Sequence, residues 1–170
     1  MPNIFLVGPM GAGKTTIGKL LASEFSYTFV DSDREIEARA GANIAWIFDV
    51  EGEAGFRRRE KSIIESLSQQ NNLVIATGGG AVLNEDTRKL LKACPYTIYI
   101  YAPLKTLLER TAQDKNRPLL QVKDPEQVFR KIINEREHLY KEVASLSLSS
   151  AEFTTRQLVN KIITFVNQNP

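Results

Sequence analysis

The chain has 170 residues and a net charge of +2, from 22 basic and 20 acidic side chains. That length fits one domain able to bury its own core, and the near-neutral balance excludes the basic excess expected of a nucleic-acid or membrane-surface binder. Cys94 is the sole cysteine, so an internal disulfide is excluded; no run approaches a membrane span and only Ile4 to Val7 is apolar ahead of Gly8, so a cytoplasmic protein without a leader is expected.

In chain order, residues 4–7 read as a buried strand, and Ile17, Leu20, Leu21 and Phe25 follow at helical spacing. Residues 27–30 predict a second strand ending at Asp31; 33–40 is helical and Gly41 stops it. A longer charged helix is predicted over 51–67, then a third strand over 73–76 running into Gly78-Gly79-Gly80. Asn84 can cap a helix over 85–92, 97–101 is a fourth strand, and 104–112 is a helix after Pro103. The stretch 113–123 is polar and broken by Pro118, and reads as a mobile loop. Pro125 opens a helix to about Val143, 146–148 is a short fifth strand, and Leu158, Ile162, Phe165 and Val166 give a closing helix its apolar face. This alternation predicts an α/β fold with a mostly parallel sheet covered on both faces. Ligands in such folds bind at the carboxyl ends of the strands, where Gly8, Asp31, Asp33 and the glycine triplet fall.

Gly8-Pro9-Met10-Gly11-Ala12-Gly13-Lys14-Thr15 matches the phosphate-binding loop in full. Its glycines let backbone N–H groups turn inward, the following helix adds its positive end, Lys14 reaches the β- and γ-phosphates, and Thr15 puts a hydroxyl on magnesium. A chance match in a chain this long is expected roughly once in a few hundred sequences, and this one lies between a strand and a helix. Asp31 can hold the magnesium through a water. Asp33 can orient or deprotonate an accepting hydroxyl; the plain alternative is that Asp33 only caps the next helix.

Three glycines in a row exceed what a turn demands and suit a ligand approaching bare backbone. Arg57-Arg58-Arg59 lies on a predicted helix, so at most one or two of the three face a single site, where an arginine would bind a carboxylate bidentately. Arg110, Arg117 and Arg136 flank the polar segment, and a loop arginine can bring positive charge to a transferring phosphoryl group on closure. His138 is expected on a solvated helix, Cys94 in packing, and Trp46 with Phe48 in the core or a pocket wall.

Taken with Asp31-Ser32-Asp33, Gly55-Phe56-Arg57, Thr77-Gly78-Gly79-Gly80-Ala81, Asn116-Arg117-Pro118-Leu119-Leu120 and Glu135-Arg136 ahead of Leu139-Tyr140, the loop makes the chain resemble the bacterial shikimate kinases over essentially its whole length. The resemblance implies a three-layer α/β/α phosphate-loop fold of the nucleoside-monophosphate-kinase type, with a five-stranded parallel sheet. It implies one kinase domain over 1–170, a shikimate-binding helical segment at about 33–61 and a lid at about 112–124. The implied activity is transfer of the γ-phosphate of ATP to the 3-hydroxyl of shikimate, with one Mg2+, by a monomer on the route to aromatic amino acids. It assigns Asp33, Arg57, Gly78, Gly79, Gly80 and Arg136 to shikimate. Gly11, Ala12, Gly13, Lys14, Thr15, Thr16, Arg110 and Arg117 go to ATP, with Arg110 against adenine. Catalysis falls to Asp33, Lys14 and Arg117, and Mg2+ to Thr15 with Asp31 behind a water. The family's loop before the last helix often carries Thr-Asp or a proline; here it reads Ser149-Ser150-Ala151-Glu152-Phe153. Two other readings remain: a gluconate or nucleoside-monophosphate kinase of the same fold, and a nucleotide-dependent switch without transfer chemistry. The glycine triplet and arginine pocket argue against the first, and the Asn116-Arg117-Pro118 lid is unneeded in the second.

Overall fold

Four consecutive apolar residues, Ile4–Val7, form β1 at the centre of a five-stranded sheet. A run without polar alternation suits a strand covered on both faces. The computed structural model describes residues 1–112 and 122–170. The other strands are β2 (Thr28–Asp31), β3 (Leu73–Ala76), β4 (Thr97–Tyr101) and β5 (Leu146–Ser149), in the order β2-β3-β1-β4-β5. Every pairing is parallel, with Leu6 opposite Ala76 on one side and Ile98 on the other.

Side chains alternate between two cores, as strand periodicity requires. Ile4, Leu6, Val74, Ile98 and Ile100 pack on α1 (Lys14–Phe25) and α7 (Thr155–Gln168). Phe5, Val7, Leu73, Ile75 and Tyr99 face the opposite layer. That layer holds α2 (Ser32–Ala40), α3 (Ile44–Ser68), α4 (Glu85–Ala93) and most of the buried side of α6 (Pro125–Val143). Helix α5 (Leu104–Thr111) joins the first layer through Leu107. The three-layer parallel architecture matches the expectation, and the helix opened by Pro125 starts where its first-turn proline placed it. Among the described residues no helix is long and apolar enough to cross a membrane.

Two expectations shift. The charged helix predicted from residue 51 begins at Ile44, because the Asn43 side chain accepts from the Trp46 N–H and caps an earlier turn. Gly52, with φ 72° and ψ 178°, kinks the element in a conformation that side chains rarely adopt. Trp46 is 51% exposed on that early half, so it is not core. Phe48 is partly buried and its ring centre lies 4.9 Å from that of Phe56.

Inside α1, Gly18 is where an alanine would ordinarily gain helix stability. A Cβ there would lie 2.5 Å from Phe29 Cε2 and 3.2 Å from Leu6 Cδ1. Gly18→Ala should therefore lower stability by about 1–3 kcal/mol through overpacking. Urea denaturation followed by circular dichroism checks this; a raised midpoint would show that the Phe29 ring moves aside freely.

Candidate active site

The phosphate loop connects β1 to α1. Gly13 ends it in the left-handed region (φ 102°, ψ 15°), and among the described residues no side chain caps α1. The first-turn N–H groups are thus kept for a ligand, and an anion is what the positive helix end attracts. Lys14 Nζ donates to the carbonyls of Gly8 and Pro9 at 2.7 and 2.8 Å, which lays it along the loop. Thr15 and Thr16 are exposed on the first turn. Thr15, Asp31, Asp33, Thr77, Gly78 and Gly79 line one cleft with the loop.

The end of β2 supplies both aspartates, in different roles. Asp31 is the cap of α2: its Oδ1 accepts from the N–H groups of Asp33 and Arg34 at 2.9 and 3.3 Å. The capping alternative weighed for Asp33 therefore belongs to Asp31. Asp33, one residue into the helix, turns its carboxylate toward β3, where Oδ1 stands 2.6 Å from the place a Gly78 Cβ would take. Ser32 between them is fully buried and accepts the Gly78 N–H at 3.0 Å, tying α2 to the glycine turn.

Of the three consecutive arginines, Arg57 faces the turn. Arg58 is exposed and Arg59 is paired with Glu51 at 2.9 Å. Arg57 Nη1 donates to Glu60 Oε1 at 2.9 Å, and Nη2 pairs with Glu53 at 3.3 Å. Arg136, on α6, is 6% exposed, and its Nη1 comes within 3.7 Å of a Cβ built on Gly79. Two arginines from separate helices thus meet one glycine turn. At two of its three positions the triplet also presses against the protein's own charged side chains. A Cβ on Gly80 would lie 2.4 Å from both terminal nitrogens of Arg57, and one on Gly78 would be 2.8 Å from Glu60 Oε2.

Glu60 is the residue that sequence reasoning missed. It is 3% exposed, and burial first, then the Asp33 charge, push its carboxyl up to about 7 against the pull of Arg57 and Arg136. Glu60 Oε2 and Arg57 Nε are buried with no hydrogen-bond partner among the described residues. Two buried polar atoms without a protein partner on this face of α3 call for a water or a polar ligand. The available signal was the three-residue spacing from Arg57, which puts both on one helix face.

Arg110 reaches the loop from outside, donating to Gly11 O at 3.0 Å and, through the same nitrogen, to Ser150 Oγ at 2.9 Å. It therefore clasps the phosphate loop to the segment before α7, with its guanidinium exposed. Arg117 and the Asn116-to-Leu120 motif lie outside the described residues, as does most of the predicted lid. His138 is exposed, and Cys94 is half-buried with its thiol against Asn3 O at 3.3 Å.

A family model described as shikimate kinase matches residues 10–167. The chain belongs to the shikimate kinase family. A shikimate kinase of Hahella chejuensis is 52% identical over 95% of this chain and 84% of its own length. That of Pseudomonas paraeruginosa is 48% identical over 100% of this chain and 99% of its own. The structure of the Acinetobacter baumannii shikimate kinase in complex with shikimate superimposes with a TM-score of 0.95 at 47% identity, covering 99% of this chain and 94% of that one. Shikimate kinases are phosphotransferases, and the donor set here suits the divalent ion such a reaction employs. Among the described residues no three His, Cys, Asp or Glu side chains gather into a metal cage. One threonine hydroxyl and nearby carboxylates at a phosphate loop fit Mg2+, which keeps several waters and takes phosphate oxygens.

The pH dependence of stability follows from Glu60. Its raised value means that the folded protein holds a proton which the unfolded chain releases near the ordinary carboxyl value of about 4.3. Stability from this group is therefore full below that value and is lost as pH rises toward about 7. Glu60→Gln should remove that loss. Thermal melts should show the variant gaining on wild type between pH 4.5 and 8; parallel melting curves across that range would refute the buried, proton-holding carboxyl.

Proposed function

We propose that this protein transfers the γ-phosphoryl group of ATP to the 3-hydroxyl of shikimate, giving shikimate 3-phosphate and ADP on the route to aromatic amino acids. The observation that carries the reading is the meeting of Arg57 and Arg136 at one glycine turn, beside Asp33 and an uncapped phosphate-loop helix. Paired guanidiniums suit a carboxylate, while an aspartate and open backbone suit ring hydroxyls. The bound shikimate of the Acinetobacter relative supports the same substrate.

In this reading Arg57, Arg136 and the turn Gly78, Gly79 and Gly80 hold shikimate. Its 3-hydroxyl lies against Asp33, whose carboxylate takes the proton as the oxygen attacks the γ-phosphorus. The bond to the β-γ bridging oxygen then breaks, and ADP leaves with the electron pair. Lys14 and the N–H groups from Gly11 through Thr16 bind the phosphates. Thr15 and, through water, Asp31 would hold Mg2+, which when bound neutralises charge on the phosphate oxygens. Arg110 is placed against adenine, and Arg117 against the γ-phosphate on lid closure. We place this chemistry in the cytoplasm, in keeping with the free thiol of Cys94.

A coupled assay of ADP release tests both the activity and the role of Asp33. Wild type should turn over ATP with shikimate and stay at background with gluconate or AMP. Asp33→Asn should lose roughly a hundred- to ten-thousand-fold in kcat with KM for ATP near the wild-type value. Turnover on gluconate or AMP would overturn the substrate, and a near-normal Asp33→Asn rate would overturn the base.

A further inference from the structure

Tyr140 takes no part in the chemistry above, yet its hydroxyl is inside the site. The residue is 1% exposed and its ring stacks on Tyr99, with centres 5.1 Å apart and planes 23° from parallel. Packing therefore fixes where the hydroxyl goes. That hydroxyl donates to the carbonyl of Gly79 at 2.5 Å. Burial first, and contact with Arg136 against it, leave the phenol pushed up to about 12, so it remains a donor at neutral pH.

The location of this bond gives it leverage. Tyr140 follows Arg136 by one helical turn on α6, so the two side chains share a face. Gly79 is the glycine that faces Arg136, and Gly80 is the one that faces Arg57. The Gly79 carbonyl and the Gly80 N–H belong to a single planar peptide and point in opposite directions. A hydroxyl gripping that carbonyl fixes the plane of the turn, and with it the seat of each guanidinium. We propose that Tyr140 is a positioning residue: its hydrogen bond to Gly79 sets the gap between Arg136 and Arg57, and so the fit of the substrate carboxylate. This rests on the assignment of those two arginines to that carboxylate.

Steady-state kinetics on wild type, Tyr140→Phe and Arg136→Lys test it, using shikimate and an analogue whose carboxylate is replaced by hydroxymethyl. Phenylalanine keeps the stacked ring and removes the hydroxyl, and with it the bond to Gly79 and the contact with Arg136. Tyr140→Phe should raise KM for shikimate about fivefold, the share of one hydrogen bond, with kcat and KM for ATP within about twofold of wild type. The difference between wild type and Tyr140→Phe should vanish with the analogue. Wild-type KM in Tyr140→Phe, alongside weakened shikimate in Arg136→Lys, would overturn the positioning role and leave the carboxylate assignment standing. An equal rise in KM for shikimate, analogue and ATP would make the bond merely structural. If Arg136→Lys and the analogue both match wild type with shikimate, the carboxylate assignment itself fails, and the positioning role with it.

Discussion

The phosphate loop, both aspartates and the glycine turn all depend on the carboxyl ends of parallel strands. The phosphate loop leaves β1, Asp31 and Asp33 leave β2, and the glycine turn leaves β3, and these three strands are neighbours in the order β2-β3-β1. Strands lie about 4.8 Å apart, so three loop starts fall within about 10 Å of one another. One antiparallel strand among the three would send its loop to the far end of the sheet. The helices then add what the strands cannot: α3 and α6 each lean an arginine onto the same turn.

That convergence creates an electrostatic problem inside the protein before any ligand is considered. Arg57 and Arg136 are brought together beside Asp33 and Glu60, with Arg136 and Glu60 almost wholly buried. Unpaired charge in such a place costs several kcal/mol. The pairing of Arg57 with Glu53 and Glu60 offsets part of that and keeps the guanidinium from swinging. A side chain held in place before binding surrenders less entropy when substrate arrives. Gly78 and Gly80 complete the arrangement, because a Cβ at either would press on the carboxylates of Asp33 and Glu60 or on the guanidinium of Arg57.

The parts legible in the sequence were those with local signals. A phosphate loop has fixed spacing, a proline opens α6, and uninterrupted apolar runs mark β1 and β3. The helix expected over 51–67 has an earlier half beyond the kink at Gly52, and only the Asn43 cap announced it. Asp31 and Asp33 are interchangeable as caps on paper; the path of the chain out of β2 decides between them. Glu60 was invisible among the charges of α3, because a buried glutamate and a solvated one look alike until the opposite wall is in place. Tyr140 stood in a recognised motif without a role for the same reason: its partner, Gly79, is 61 residues away.

The early half of α3 has one more property. Trp46 is the only tryptophan in the chain, and it stands half in solvent on the turn before Phe48, which packs on Phe56 beside Arg57. Indole emission shifts with the polarity of its surroundings, and no second indole contributes background. The protein thus carries its own optical gauge on the early half of α3, and changes around that helix can be followed in unlabelled protein on the stopped-flow timescale.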